Sequence, residues 1–218
     1  MLKKISFISL VCIVAIVAGV LTISYFRSFQ DVSITIKNPI GSLELTVYKA
    51  SQSGDELEKS KEPLRKITRN ETFSLRNGSY LLVPKGDNIV AQDIPLIVKG
   101  SNITKVIDIG YTQAYLDSLL AIESASITNE ITDAYPKITG LYTVQPGRLF
   151  HRGEWFGTTL VSKQTDPEAN NNDTLRIILE KNASTQEWTI VTNPPGVVIG
   201  GPSYPTVPIE IIKQVNLL

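Results

Sequence analysis

The sequence predicts an N-terminal transmembrane helix, then an all-β sandwich domain and a small α+β domain in which a helix packs on a curved antiparallel sheet. Three observations support this fold class. An uncharged apolar run opens the chain, period-two alternation of apolar residues follows it, and a helical repeat begins near Thr112 before alternation returns. We therefore expect a transmembrane signal-anchor over residues 1–27, a β-sandwich over 31–110 and an α+β domain over 112–218.

The apolar run from Ile5 to Phe26 is long enough to cross a bilayer. Its 22 residues cover about 33 Å as a helix, against a hydrocarbon core of about 30 Å. The alternative, a cleaved signal peptide, has an apolar region of only about 7 to 15 residues. Lys3 and Lys4 precede the run and Arg27 follows it, a bias that places the N-terminus in the cytoplasm. We expect a single-pass cell-membrane protein that binds the lipid bilayer through residues 5–26, with its domains outside the cytoplasm.

Composition excludes several classes of function for the exported part. Cys12, the only cysteine, lies in the apolar run, so the exported domains can form no internal disulfide. Without the three basic residues that flank the run, 18 basic residues stand against 21 acidic ones, which argues against nucleic-acid binding. His151 is the only histidine, so a zinc site would need carboxylates alone around one imidazole. We expect no metal and no cofactor.

Alternation of apolar and polar residues defines the first exported domain. Short alternating segments surround Ile34, Leu45, Phe73, Leu82, Leu96 and Val106. Asn77-Gly78 is a strong turn signal between two of these segments. The stretch from Ser51 to Pro63 is charged and lacks apolar periodicity, so we expect a mobile surface loop there. Several short strands without a helical period predict a small sandwich or Greek-key barrel.

One segment of this domain carries a family resemblance. LRNGSYLLVPKG, residues 75–86, resembles the polar-Gly-x-Tyr-apolar-x-apolar segment of PEGA and related transthyretin-like surface modules. The resemblance covers residues 31–110. The Pro-Glu-Gly-Ala segment that names the family is absent, and the charged stretch stands in its place. The resemblance implies an extracytoplasmic structural or binding unit without catalytic residues, and it transfers no functional residue to this chain.

The second domain begins with a helical pattern. Apolar residues recur every three to four positions at Leu116, Leu119, Leu120, Ile127, Ile131 and Ala134. We expect one helix that ends before Pro136, with Glu123 as the point where it could break. Alternation then returns in three strand segments, 148–162, 173–181 and 187–193. Pro208 is well placed as the first residue of a short terminal helix.

Five N-x-S/T sequons occur, at Asn70, Asn77, Asn102, Asn172 and Asn182. In a host that glycosylates exported proteins they are glycan acceptors on outward loops. In another host they are asparagines that form turns. Both interpretations stay open at the level of sequence.

Few side chains of the second domain offer chemistry. Alternation along a predicted strand directs His151 and Glu154 to opposite faces. The large aromatic residues of this domain can line a groove or anchor an interface: Trp155, Phe156, Trp188 and Tyr204. Alternation with apolar neighbours favours core packing for Trp155 and Trp188. Tyr204 lies among prolines, and the sequence does not decide between a core position and a contact surface for it. We name no catalytic residue, and we single out His151, Trp155 and Tyr204 as candidate contacts for a partner or ligand.

These observations favour a non-catalytic envelope protein. The sandwich would be a spacer or scaffold, and the distal domain would contact a protein or a surface polysaccharide. One alternative is a membrane-tethered hydrolase that acts on envelope polymers, with its site near His151, Glu154 and Trp155. Another is a subunit of a larger membrane assembly, in which Ala15, Ala18 and Gly19 would allow close helix packing. A pocket where perturbed acids converge would favour the hydrolase.

Overall fold

A computed structural model describes residues 28–37, 41–163 and 174–218. The predicted anchor over residues 5–26 lies outside the described residues. Within the described ranges, no helix is both long enough and apolar enough to cross a membrane. The chain divides into two units, the first ending at Asp108 and the second beginning at Ile109. The first unit is rich in strands and the second combines a sheet with helices, as the predicted fold class requires.

The strands of the first unit are β1 (Phe29–Ile36), β2 (Glu44–Ser53), β3 (Glu56–Ile67), β4 (Glu71–Arg76), β5 (Gly78–Lys85), β6 (Ile94–Val98) and β7 (Ile103–Ile107). β1 lies at the centre of one sheet, antiparallel to β4 and parallel to β7. A second, antiparallel sheet has the order β3-β2-β5-β6. Val32, Ile34 and Ile36 of β1 are buried, which confirms the period-two pattern.

The prediction of a mobile surface loop from Ser51 to Pro63 is wrong. This stretch forms the ends of β2 and β3, which pair as a hairpin from Ala50 opposite Lys59 to Ser53 opposite Glu56. Gly54, with a φ of 62°, lies in the turn, where a left-handed conformation favours glycine. The strands pair through their backbones while their charged side chains stay exposed, so no apolar periodicity marks them. Charged side chains also suit β3 because it is an edge strand of its sheet.

Three sequon asparagines of the first unit hold neighbouring backbone. The side-chain oxygen of Asn70 accepts a hydrogen bond from the backbone N–H of Ile36 at 2.7 Å. Asn77 accepts one from Gly100 at 2.9 Å, and Asn102 accepts one from Asp31 at 3.1 Å. In the second unit, Asn182 accepts bonds from two N–H groups of its own turn. Only the Asn182 contacts are those of a turn-forming asparagine, because Asn70, Asn77 and Asn102 bind backbone that is distant in sequence. Asn172 lies outside the described residues.

The second unit contains three α-helices, one short 3₁₀ helix and five strands within its described part: α1 (Gln113–Ala134), α2 (Pro136–Leu141), β8 (Tyr142–Val144), β9 (Arg148–Phe150), β10 (Trp155–Ser162), β11 (Thr174–Lys181), β12 (Trp188–Ile190), the 3₁₀ helix (Gly201–Ser203) and α3 (Ile209–Asn216). The sheet is antiparallel and has the order β12-β11-β10-β8. β9 pairs with the same edge of β10 as β8 does. β8 and β9 therefore follow one another along one side of the sheet.

Sequence and structure differ at three places in this unit. α1 is continuous, so the helix does not break at Glu123, and it ends before Pro136 as predicted. Pro208 is the residue that precedes α3 rather than its first helical residue. The segment 148–162, predicted as one strand, is split into β9 and β10 by a turn at residues 151–154. This turn changes the interpretation of His151.

Both faces of the sheet in the second unit are buried. Neighbouring residues of β11 alternate between two apolar clusters, with Ile177 and Leu179 in one and Ile178 in the other, so the clusters lie on opposite faces. Residues of α1 cover the first cluster: Leu116, Ile127 and Ile131. Residues of α3 cover the second: Ile211, Ile212 and Val215.

Candidate functional site

His151 and Glu154 lie in the turn between β9 and β10, and their side chains meet. His151 has a φ of 62° and Gly153 a φ of 78°, so the chain reverses here instead of continuing as a strand. His151 Nδ1 lies 3.1 Å from Glu154 Oε2. The prediction that the two side chains point to opposite faces is therefore wrong. Its cause is the turn, because side-chain alternation applies only to extended backbone.

Arg152 completes this charged cluster. Its side chain is only 7% exposed, and its Nε donates to Glu154 Oε1 at 3.2 Å while Nη2 donates to Oε2 at 3.3 Å. Burial raises the pKa of Glu154, but the hydrogen bonds from Arg152 and His151 together outweigh it and leave the pKa lowered. Glu154 is thus held as a carboxylate by its neighbours. A general acid would need the opposite shift.

A second charged group joins α1 to the sheet. Glu123 Oε1 lies 2.6 Å from Lys181 Nζ, and Glu123 Oε2 accepts a hydrogen bond from Trp188 Nε1 at 3.0 Å. The bond from Lys181 is the largest cause that lowers the pKa of Glu123, and it outweighs the effect of burial. Sequence reasoning missed this contact. The available signal was an acid three residues after Leu120 and four before Ile127, on the apolar face of the helix.

A third polar group fixes the C-terminal helix. Arg176 donates to the backbone oxygens of Val215 and Asn216 at 3.3 Å each, and also to that of Val197. Cationic donors at a helix C-terminus bind carbonyl groups that have no partner within the helix. The side chain of Asn216 in turn exchanges two hydrogen bonds with the backbone of Ile199, at 3.0 and 2.9 Å. These charged and polar groups are occupied by structural contacts.

A different kind of site lies between α1 and the connection from β8 to β9. It is a cavity of about 260 Å³, partly open to solvent. Its lining consists of Leu120, Ser124, Ile127, Thr128, Val144, Gln145, Pro146, Gly147 and Phe156. The lining is mostly apolar and includes no ionisable side chain. Apolar clefts with a few placed polar groups are the usual form of a binding site.

The wall formed by residues 145–147 is fixed in place. A Cβ at Gly147 would overlap the ring of Phe156 and the backbone oxygen of Gly157, so only glycine lets the chain lie this close to the sheet. Gln145 N donates to the oxygen of Thr159 at 2.9 Å, and Thr158 Oγ1 donates to the oxygen of Gln145 at 2.6 Å. The cavity is therefore preformed.

The three residues singled out from the sequence lie away from this cavity. His151 is in the charged turn, and Trp155 is 7% exposed in the cluster beneath α3. Tyr204 is half-buried against the same cluster. Trp188, 4% exposed, packs on the other face, so both tryptophans occupy core positions. Phe156, whose ring forms the cavity wall, is one of the four aromatic residues that the sequence offers for a groove, but it is not among the three singled out. Its position directly before Gly157 in an alternating segment did not distinguish it from the others.

Across the three described ranges, no group of three or more His, Cys, Asp or Glu side chains is arranged to hold a metal ion. No protein-family model matches the chain, and no curated protein or solved structure gives a significant match. The PEGA-like character of residues 31–110 stays a prediction.

Proposed function

We propose that this chain is a membrane-anchored, extracytoplasmic binding protein. The two-sheet first unit serves as a sandwich-type spacer or scaffold, and the second unit contacts a protein or a surface polysaccharide. The observation that carries the proposal is the preformed cavity beside α1, which is lined without ionisable side chains. The charged groups of the second unit support it, because their carboxylates with shifted pKa values, Glu123 and Glu154, are both held by basic neighbours.

The hydrolase alternative receives less support from this geometry. It requires that His151, Glu154 and Trp155 converge on a substrate, but the Trp155 side chain is buried beneath α3. Glu154 is bound by Arg152 and has a lowered pKa, whereas a catalytic acid at neutral pH needs a raised one. The binding role is therefore the better supported of the two.

The short distance between anchor and first unit supports the spacer role. β1 begins at Phe29, two residues after Arg27, which closes the predicted span. A unit that begins so close to the predicted span would lie next to the membrane interface, where we expect a spacer or scaffold. The proposal assigns the contact with other envelope components to residues after Asp108.

Crosslinking in intact cells tests this proposal. A photoreactive residue at Thr128, on the cavity rim, would be compared with the same residue at Asp133, an exposed position of α1 outside the lining. We expect the Thr128 probe in the full-length chain to capture a discrete protein or polysaccharide that the Asp133 probe does not. Equal capture from both positions, or from neither, would contradict a binding role for this face. Turnover of an envelope polymer by the purified chain would instead establish the hydrolase.

A further inference from the structure

We propose that the cavity beside α1 receives an aromatic side chain from a partner polypeptide. This inference rests on the proposed binding function and names the chemical class of the partner. It separates the two partner classes left open above, because the cavity suits an uncharged ring better than a sugar. The volume of the cavity, the polarity of its lining and its position in the fold each support this inference.

The first step is size. The cavity has a volume of about 260 Å³. An apolar cavity of about 150 Å³, lined by leucine, isoleucine and phenylalanine, is large enough to bind benzene. The cavity here exceeds that volume and shares the leucine, isoleucine and phenylalanine part of that lining through Leu120, Ile127 and Phe156. A six-membered ring fits, and a fused indole ring fills more of the space.

The second step is polarity. No lining residue carries an ionisable side chain, so a charged group placed here would lose its hydration without gaining a counter-charge. A sugar ring carries several hydroxyl groups, and each would need a hydrogen bond once buried. The lining offers side-chain polar groups only from Ser124, Thr128 and Gln145, and the Ser124 hydroxyl already lies 3.4 Å from the backbone oxygen of Ala121. This composition favours an uncharged aromatic group over a polysaccharide.

The third step is position. The cavity is partly open to solvent, so a ring that enters it can stay attached to a longer chain outside. Val144, in its wall, is the last residue of β8, which is the outermost strand on this side of the sheet. A partner segment beside an edge strand can add backbone hydrogen bonds to the contact made by its side chain. An apolar pocket with a polar rim is the usual anatomy of a protein–protein anchor, where tryptophan and tyrosine are enriched.

A pair of matched variants tests the inference. Ser124→Leu places a larger apolar side chain in the cavity from the α1 side. Ser126→Leu makes the same change on the same helix, at an exposed position outside the lining. Both substitutions raise helix propensity to a similar degree, so they differ mainly in whether the cavity is filled. Circular dichroism of both variants verifies that the fold is retained.

The probe is N-acetyl-tryptophanamide, an uncharged indole with peptide-like amides. The full-length chain in lipid nanodiscs, with labelled isoleucine, leucine and valine methyl groups, is titrated by NMR. We expect saturable shifts at the methyl groups of Leu120, Ile127 and Val144, which line the cavity. Ser124→Leu should weaken binding by about tenfold or more, and Ser126→Leu should leave it unchanged. Chitotriose, a neutral oligosaccharide, should cause no shift at these methyl groups.

The outcomes separate this inference from the proposed function. Absence of saturable shifts at the cavity methyl groups, equal effects of both leucine variants, or binding of chitotriose there overturns the aromatic partner. If crosslinking from Thr128 still captures a specific species in that case, the binding function stands and only its partner class is revised. If the probe binds as expected but crosslinking captures nothing, the proposed function fails while the site itself is established.

Discussion

The two faces of the sheet in the second unit are covered in different ways. On one face α3 lies so near β10 that a Cβ at Gly157 would overlap the side chain of Val215. On the other face α1 packs on the sheet and is tied to it by the bond between Glu123 and Lys181, yet a cavity of about 260 Å³ remains between α1 and the β8–β9 connection. The comparison teaches that close packing serves the fold on the α3 face, whereas incomplete packing on the α1 face leaves the space in which we propose that a partner binds. Four measurements can break or sharpen this contrast.

The largest effect is expected from Gly157→Ala. The new methyl group has no space beside Val215 and Phe150, both of which are buried, so the Val215 side chain or α3 must shift. We expect a loss of about 2 to 3 kcal/mol in the free energy of unfolding. Gly140→Ala is the control, because a Cβ there meets nothing within 4 Å. The chain's two tryptophans, Trp155 and Trp188, both lie in the second unit, so their fluorescence in a denaturant titration follows this unit. Equal free energies of unfolding for the two variants would refute close packing of α3 on the sheet.

Glu123→Gln should cost less, about 1 to 2 kcal/mol, because the pair is only partly buried and glutamine still offers one acceptor to Trp188. The folded-state pKa of Glu123 is lowered, so its contribution to stability is complete above the unfolded-state pKa of about 4.3 and is lost as the pH falls through the folded-state pKa. Unfolding measured from pH 7 down to acid should therefore show a shallower decline for the variant. Glu154, which has a lowered pKa as well, keeps part of the decline in both proteins. Parallel curves would show that the contact between Glu123 and Lys181 does not stabilise the fold through charge.

Arg176→Lys tests the α3 face without removing the positive charge. Lysine cannot place several donors against the oxygens of Val215, Asn216 and Val197 at once. We expect a loss of about 1 kcal/mol, concentrated at the end of α3. Hydrogen exchange should quicken at the amides of α3 and stay unchanged in α1. Equally faster hydrogen exchange in α1 and α3 would show instead that the two faces of the sheet are exposed in a single unfolding step.

Ser124→Leu should have the smallest effect on stability and should raise it. The leucine fills part of the cavity with apolar groups, which we expect to add about 0.5 to 1 kcal/mol to the free energy of unfolding. Ser126→Leu, outside the cavity lining, should add less because it gains helix propensity alone. If the cavity variant were destabilised, the space beside α1 would be too small for added atoms, and the contrast between the two faces would weaken.

The sequence predicts those features of the fold that repeat along the chain. Alternation identifies β1, and the three-to-four-residue repeat identifies α1 with its end before Pro136. The hairpin over residues 51–63 escapes this approach because its strands pair through backbone hydrogen bonds and bury little on either face. The turn at His151 escapes it because a positive φ is unusual for histidine, although the neighbouring Gly153 was a signal for a turn.

The candidate site is harder to predict for a different reason. Its lining comes from α1, β8, the β8–β9 connection and β10, which only the folded chain brings together. No lining residue belongs to a motif with a fixed spacing, and apolar side chains in a cavity wall look in sequence like those of a core. The charged residues that draw attention in the sequence, His151 and Glu154, instead serve the turn between two strands. Space left between elements has no sequence pattern of its own.

The parallel pairing of β1 with β7 has a mechanical consequence. The chain enters the first unit at the start of β1 and leaves it at the end of β7, and these strands pair from Val32 opposite Ile103 to Ile36 opposite Ile107. A pull applied between the two ends of the unit therefore runs along both strands in opposite directions. It loads their slanted interstrand bonds together in shear, rather than peeling them apart one at a time. A unit built in this way resists stretching between its two ends.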